Sequence, residues 1–325
     1  MEIWKHLVPV DGELLYSRKD PNDLRLGDVV LRDPARYPQA NVVVVGCPRD
    51  EGVRRNGGRI GARDAPVEIR RALYRYAVSE AHEHLRLFDA GDVKIRKTLE
   101  ATHDALGEVV RSFLADGKKV VVLGGGNDIS YPDCSALASL VENLLVFNVD
   151  RHLDVRADTP RNSGTAYRQL LDEGRIRPDL FHEVGINSFA NSRAYRRYVE
   201  ELGAHVHYLG DLREAGVGTT VREIVQRSPA DAIFWGFDLD VVHAAEAPGV
   251  SDPSPMGLTA REVCEIADVA AANPRTRIIE LTEVNPEHDL GGITSKLAAN
   301  IIVRALARRA PMEARTIQRQ EATDG

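Results

Sequence analysis

The strongest constraint on this chain is a rhythm that begins at Asn41, where short apolar runs start to alternate with stretches of helical period. Asn41-Val42-Val43-Val44-Val45-Gly46 is the first run, and others fall at 85–88, 118–123, 144–149, 180–185, 205–209, 232–239 and 277–284. Short runs of this kind, apolar throughout, read as strands covered on both faces. Helical periodicity fills intervals at 66–76, 99–114, 193–202, 260–272 and 293–310, with Asp64 as a candidate cap and Pro66 in a first turn. About eight strands interleaved with helices predict an α/β fold: one open, mostly parallel sheet with helices on both faces. The apolar share of 43% is enough for such a core. Residues 1–40 show little period and read as a partly ordered surface lead-in, 41–312 as one domain, and the polar stretch 313–325 as a frayed tail.

Charge and cysteine usage narrow the function classes. A net charge of −7 argues against nucleic-acid binding, which needs a basic surface, and requires a local arginine cluster for any anionic substrate. Cys47, Cys134 and Cys264 are widely spaced and match no zinc pattern, so they read as buried thiols in a reducing compartment. The N-terminus has no apolar signal core and no run approaches a membrane span, which predicts a cytoplasmic protein with no membrane partner.

In a sheet of this kind ligands bind outside the carboxyl ends of the strands, and four loops there are chemically loaded. Gly124-Gly125-Gly126-Asn127-Asp128-Ile129-Ser130 follows the third run and permits close backbone approach, without the Lys-Ser/Thr pair of a phosphate loop. Asp150, His152 and Asp154 follow the fourth run and alternate with Arg151 and Leu153. If the backbone stays extended, all three point to one side. Asp238 and Asp240 repeat the pattern after the seventh run. Like charges on one face repel and usually need a cation to tolerate each other. Four carboxylates and one imidazole suit Mn²⁺ or a similar ion, and two ions better than one. A polar loop whose acids cap helices is the plainer alternative. Glu280 and Glu283 end the last run, where an acid can orient a cationic group or a water, or start a helix.

These loops, in this order, resemble the ureohydrolase family of arginase, agmatinase and formimidoylglutamase, over about 43–306. Members carry a Gly-Gly-x-His loop, an Asp-x-His-x-Asp loop, an Asp-x-Asp loop and a Glu-Val-Asn-Pro loop. The segments Asp50 to Ala62, Asn162 to Gln169 and Ala247 to Ser251 are similar to the formimidoylglutamase branch. The resemblance implies a three-layer α/β/α sandwich with an eight-stranded parallel sheet, two Mn²⁺ ions, and a homo-oligomer, trimeric or hexameric. It implies a hydrolase of histidine degradation, in which a metal-bound hydroxide attacks the formimidoyl carbon of N-formimidoyl-L-glutamate to give glutamate and formamide. Asp150 and Asp238 would bridge the ions, Asp154 would complete one site, and His152 with Asp240 the other. Glu283 would hold the formimidoyl nitrogens, with Asp150 and Glu283 as the catalytic pair. Arg54, Arg55, Arg59, Asn162, Ser163 and Arg168 would bind the dianionic remainder of the substrate.

Two positions depart from the family pattern. Asn127 stands where the family has a metal-binding histidine, so an amide oxygen, or Asp128 swinging in, would have to serve the ion of Asp154. Arg151 replaces a small residue inside the metal loop; facing away it would pair with an acid, and facing the cleft it would oppose cation binding. Two other readings remain at this level. One is a ureohydrolase acting on a guanidino compound, agmatinase- or guanidinobutyrase-like. The other is a metal-poor pseudoenzyme that binds or scaffolds.

Overall fold

The computed structural model describes residues 2–307, and within them nine strands join in one sheet. In chain order the first five are β1 (Leu7–Val8), β2 (Val42–Gly46), β3 (Leu87–Val93), β4 (Lys119–Leu123) and β5 (Leu144–Val149). The rest are β6 (Phe181–Ile186), β7 (His205–Tyr208), β8 (Ala232–Asp238) and β9 (Thr276–Thr282). Across the sheet they run β1-β3-β2-β4-β9-β8-β5-β6-β7. Every pairing is parallel except β1 with β3.

Alternation of side chains feeds two cores from each strand. Val121 and Leu123 of β4 enter one, and Val120 and Val122 the other, which is why the run is apolar throughout. The first core packs against the helices Ala65–Leu73, Val217–Arg227, Ala260–Ala272 and Ile293–Leu306. The second packs against Leu99–Ala115, Ser130–Ala138, Ala166–Asp172 and Arg193–Glu201, giving three layers. Phe147 of β5 stacks on Trp235 of β8 at 4.4 Å, both fully buried. Each such ring contributes about 1.5–3 kcal/mol of transfer free energy. Helix starts are set locally: Thr98 accepts from the Ala101 N–H, and Thr259 forms a capping box with Glu262.

Three expectations fail against this fold. Residues 1–40 are more than a surface lead-in: Ile3, Leu7, Leu14, Leu26, Leu31 and Tyr37 are buried, and β1 adds the antiparallel edge. Trp4 closes a ring cluster with Tyr37, Phe88 and Phe113 at 5.4–6.1 Å. These residues sit on short helical turns, so their burial leaves no regular period to read. Asp64 makes no cap hydrogen bond, although Pro66 does lie in the first turn. The strand expected at 85–88 runs on to Val93 through two acids, because the buried Arg70 guanidinium binds Asp89 at 2.8 Å and Asp92 at 2.6 Å. The end of the helix expected to 310, and the tail 313–325, lie outside the described residues. No helix among the described residues is long and apolar enough to cross a membrane.

Candidate metal centre

The four loaded loops come from β4, β9, β8 and β5, which are consecutive in the sheet. All four strands are parallel, so their carboxyl ends open on one side and the loops meet there. An extended backbone is not what aligns the acids. The chain leaves β5 at Val149 and turns, with Asp150 Oδ1 accepting the His152 N–H at 2.7 Å. Asp238 does the same for the Asp240 N–H at 2.9 Å. Each motif is thus a side-chain-capped turn that projects the ligand two residues on, His152 in the first and Asp240 in the second. Asp154 (φ 46°) and Glu283 (φ 62°) lie in the left-handed region, which costs about 1–3 kcal/mol for a non-glycine residue. Backbone bonds hold both in place: Tyr167 N–H to Asp154 O, and Glu283 N–H to Gly125 O at 2.9 Å.

The turns bring together two ligand groups, Asp150–His152–Asp240 and Asp150–Asp154–Asp238, each with ligand atoms within 4.8 Å of one another. His152 Nδ1 lies 3.5 Å from Asp150 Oδ1 and 3.2 Å from Asp240 Oδ2. Burial, reinforced by Asp150 and by Asp240 respectively, holds Asp154 and Asp238 well above the carboxylate range. Burial pushes Asp240 up to about 6, against the pull of His152, and Glu283 up to about 8. For His152, burial is overcome by Asp240, Asp150 and Asp252, which hold the imidazole well above its ordinary range. Asp240 Oδ1 is buried with no hydrogen-bond partner. Crowded carboxylates, an orphaned oxygen and an imidazole fit a divalent cation in each group.

These shifts carry a sign. Raised folded values mean that the native chain keeps protons that the unfolded acids, near 3.9–4.3, have shed. That stability is present at low pH and lost as pH rises through the folded values, and the still-protonated His152 adds to the same fall above the unfolded imidazole's value near 6.5. The cation-free protein is therefore expected to lose stability from pH 5 to 8, and a divalent cation to raise the melting temperature more at pH 8 than at pH 6. Melting curves with and without Mn²⁺ test this; a cation effect equal at both pH values would contradict it.

Asn127 does not offer its oxygen to the acids. Its Oδ1 accepts from Ser130 Oγ at 2.8 Å and Thr282 Oγ1 at 3.1 Å, while Nδ2 donates to Asp154 at 2.6 Å. Nor does Asp128 swing in, since it is buried against His103 Nε2 at 2.7 Å. The Asp154 group thus lacks a donor from this loop. Asn127→His is expected to raise the affinity for a second cation at least tenfold, about 1.4 kcal/mol, read by calorimetric titration. An unchanged affinity would remove Asn127 from the site.

Above the acids lies a cavity of about 530 Å³, lined by His152, Asp154, Asp238, Asp240 and Glu283 below and by Asn56, Arg59, Arg156, Ser163, Tyr195 and Asp252 around. Three expected arginines are absent from its lining. Arg54 pairs with Glu51 at 2.7 Å, Arg55 with Glu100 at 2.7 Å, and Arg168 with Asp172 at 2.6 Å. Arg59 is present, with one nitrogen bound to the Pro248 and Val250 carbonyls. Ser163 lines the cavity, but Asn162 braces its loop by accepting the Gly164 N–H. Arg156 was missed by the sequence reading, although it continues the alternation of Asp150, His152 and Asp154 by two residues. It is exposed, and its side chain has no ion pair or hydrogen bond among the described residues. Arg151 turns to the rim and meets Asp252, with Nη1 3.4 Å from its carboxylate.

The Arginase family model matches residues 40–307. The chain is 34% identical over 281 residues to a formimidoylglutamase of Paraburkholderia xenovorans (strain LB400), covering 81% of this chain and 87% of that one. The crystal structure of Trypanosoma cruzi formiminoglutamase with Mn²⁺ superposes with a TM-score of 0.82 at 31% identity, covering 88% of this chain and 98% of that chain. The formimidoylglutamase of Bacillus subtilis subsp. subtilis str. 168 does so with a TM-score of 0.82 at 30% identity, covering 90% and 93%.

Proposed function

The chain belongs to the arginase family, and on that premise we propose that it is a metal-dependent formimidoylglutamase, hydrolysing N-formimidoyl-L-glutamate to L-glutamate and formamide. The observation that carries this reading is an acid-floored cavity in which Arg156 has no ion pair among the described residues: acids for a cationic amidine below, a guanidinium for a dianion above. In this reading Asp150, common to both ligand groups, would serve both of two Mn²⁺ ions, the metal named for the Trypanosoma cruzi relative. Asp238 with Asp154 would hold one ion, and His152 with Asp240 the other. Such ions, when bound, would bring the pKa of a water towards neutrality.

The chain's own residues do the rest. Glu283, whose Oε1 is already fixed by the Asn127 N–H at 2.7 Å, accepts hydrogen bonds from the formimidoyl nitrogens and favours the cationic, more electrophilic amidine. Arg156 and Arg59 take the substrate carboxylates, and Ser163 with Asn56 shapes the wall. The water oxygen forms the new bond to the formimidoyl carbon. The bond from that carbon to the glutamate nitrogen breaks, and with the cationic amidine both water protons end on that nitrogen, which leaves as the ammonium of glutamate. The enzyme works in the cytoplasm, a reducing compartment that suits the buried thiols Cys47, Cys134 and Cys264.

A guanidino acid, which also carries a carboxylate, is the second substrate that Arg156 favours; an amine-tailed substrate such as agmatine is disfavoured by the same charge. The test is product release with Mn²⁺: formamide from formimidoylglutamate, against urea from guanidinobutyrate, agmatine and arginine. No formamide under any condition sinks the reading. Arg156→Met is expected to raise KM for formimidoylglutamate about 10- to 100-fold, the worth of a charge-assisted hydrogen bond of about 1.5–3 kcal/mol. Arg54→Met, already paired with Glu51, is expected to leave KM unchanged. Equal effects of the two substitutions would remove Arg156 from substrate binding.

A further inference from the structure

Asp252 belongs to no ligand group, yet it stands between the metal loop and solvent with two neighbours from that loop. Its Oδ2 is 3.3 Å from His152 Nε2 and 3.4 Å from Arg151 Nη1, and its backbone oxygen accepts from Arg151 Nη1 at 3.1 Å. Although its side chain is 59% exposed, the backbone that carries it is fastened. Ser251 N–H donates to Glu283 O at 3.2 Å, Arg59 N–H donates to Ser251 O at 3.1 Å, and Val250 bridges to Val284. The segment before Asp252 is therefore tied to the loop of Glu283 and to the loop of Arg59.

An imidazole can give a lone pair to a cation from one nitrogen only if the proton sits on the other. In His152 the nitrogen that faces Asp150 and Asp240 is Nδ1, so the proton belongs on Nε2, the atom that faces Asp252. The geometry points to Asp252 as a positioning residue for His152: it accepts the Nε2 proton, fixes the ring plane and leaves Nδ1 turned to the ligand group. Arg151 completes the arrangement by anchoring Asp252 from the side. The arginine that interrupts the metal loop is thus answered by an acid 101 residues further on, and its charge is turned to the rim rather than to the cations. Carboxylate partners of ligating histidines act in this way generally, and their loss lowers metal affinity by about 10- to 100-fold. This inference rests on the two-ion reading above.

The experiment is Mn²⁺ titration of the full chain by calorimetry and electron paramagnetic resonance, in the wild type and in Asp252→Ala, Asp252→Asn, Arg151→Ala and Arg151→Ala/Asp252→Ala. In Asp252→Ala one Mn²⁺ is expected to bind about 10- to 100-fold more weakly, with the other unchanged. Asp252→Asn, which keeps an acceptor oxygen, is expected to lose less. The double variant separates orientation from charge. If Asp252 merely cancels Arg151, removing both restores affinity, and the proposal is overturned; if it orients His152, the loss persists. In a His152→Ala background, Asp252→Ala is expected to add nothing. A wild type that binds no Mn²⁺ overturns the two-ion reading itself, whereas a wild type that binds two, with an Asp252→Ala variant of equal affinity, overturns only the role of Asp252.

Discussion

Asp150→Asn is expected to leave the fold standing while emptying the site and removing turnover. The residue is fully buried, its Oδ1 accepts the His152 N–H at 2.7 Å, and it is common to both ligand groups. Asparagine keeps the shape and an acceptor for that N–H, so the turn survives. What goes is a charge shared between two cations. A loss of about 4 kcal/mol of transition-state stabilisation, within the several that a metal-held charge supplies, corresponds to about a thousandfold in rate. Formamide release and metal content measured on one preparation check this. A variant that retains Mn²⁺ and a tenth of the wild-type rate would show that Asp150 is not the shared ligand.

Glu283→Gln separates substrate polarisation from metal holding. Glutamine still offers an oxygen to the Asn127 N–H, so the loop should keep its course. The substitution removes the negative charge that faces the amidine. Truncating one partner of a buried, hydrogen-bonded charge pair costs about 2–5 kcal/mol, so kcat/KM should fall by a factor between about thirty and a few thousand. Metal content should not change, in contrast to Asp150→Asn. Burial pushes Glu283 up to about 8 in the cation-free chain and bound cations pull it down, so the wild-type rate should rise with pH to a limb below that value, and this limb should vanish in the variant. A Glu283→Gln enzyme with unaltered kcat/KM would assign the amidine to another acid.

The acids were legible in the sequence because their types and spacing are chemical facts that need no fold. Asp150, His152, Asp154, Asp238 and Asp240 meet as expected, although by capped turns and one left-handed residue rather than by an extended backbone. The arginines were less legible, since residue type cannot say which cation has a prior partner. A local signal was nevertheless present. Arg54 and Arg55 follow Glu51 by three and four positions, and Arg168 precedes Asp172 by four, the helical spacings at which ion pairs form. Arg156 lies outside any helix, in an irregular loop without such a neighbour. Asp252 was illegible for the opposite reason: its partners come from a distant loop, and only the fold brings them near. Asn127 could be singled out from its type alone, but which end of its amide faces Asp154 depends on Ser130 and Thr282, and that is a matter of packing.

The strand order also fixes when in the life of the chain the site can exist. β1 to β4 lie together on one side of the sheet and β5 to β8 on the other, and β9, the last strand to be synthesised, is laid between β4 and β8. Two half-sheets, each with an open edge towards the middle, are what the ribosome delivers first. Neither half holds Asn127, Asp150, Asp238 and Glu283 together. The final strand works as a keystone: its insertion pairs both open edges and brings Glu283 and the Asn127 loop of the first half to the ligand acids that β5 and β8 of the second half already carry. A chain interrupted before Thr276 would be left with two sticky edges and an incomplete site, without Glu283.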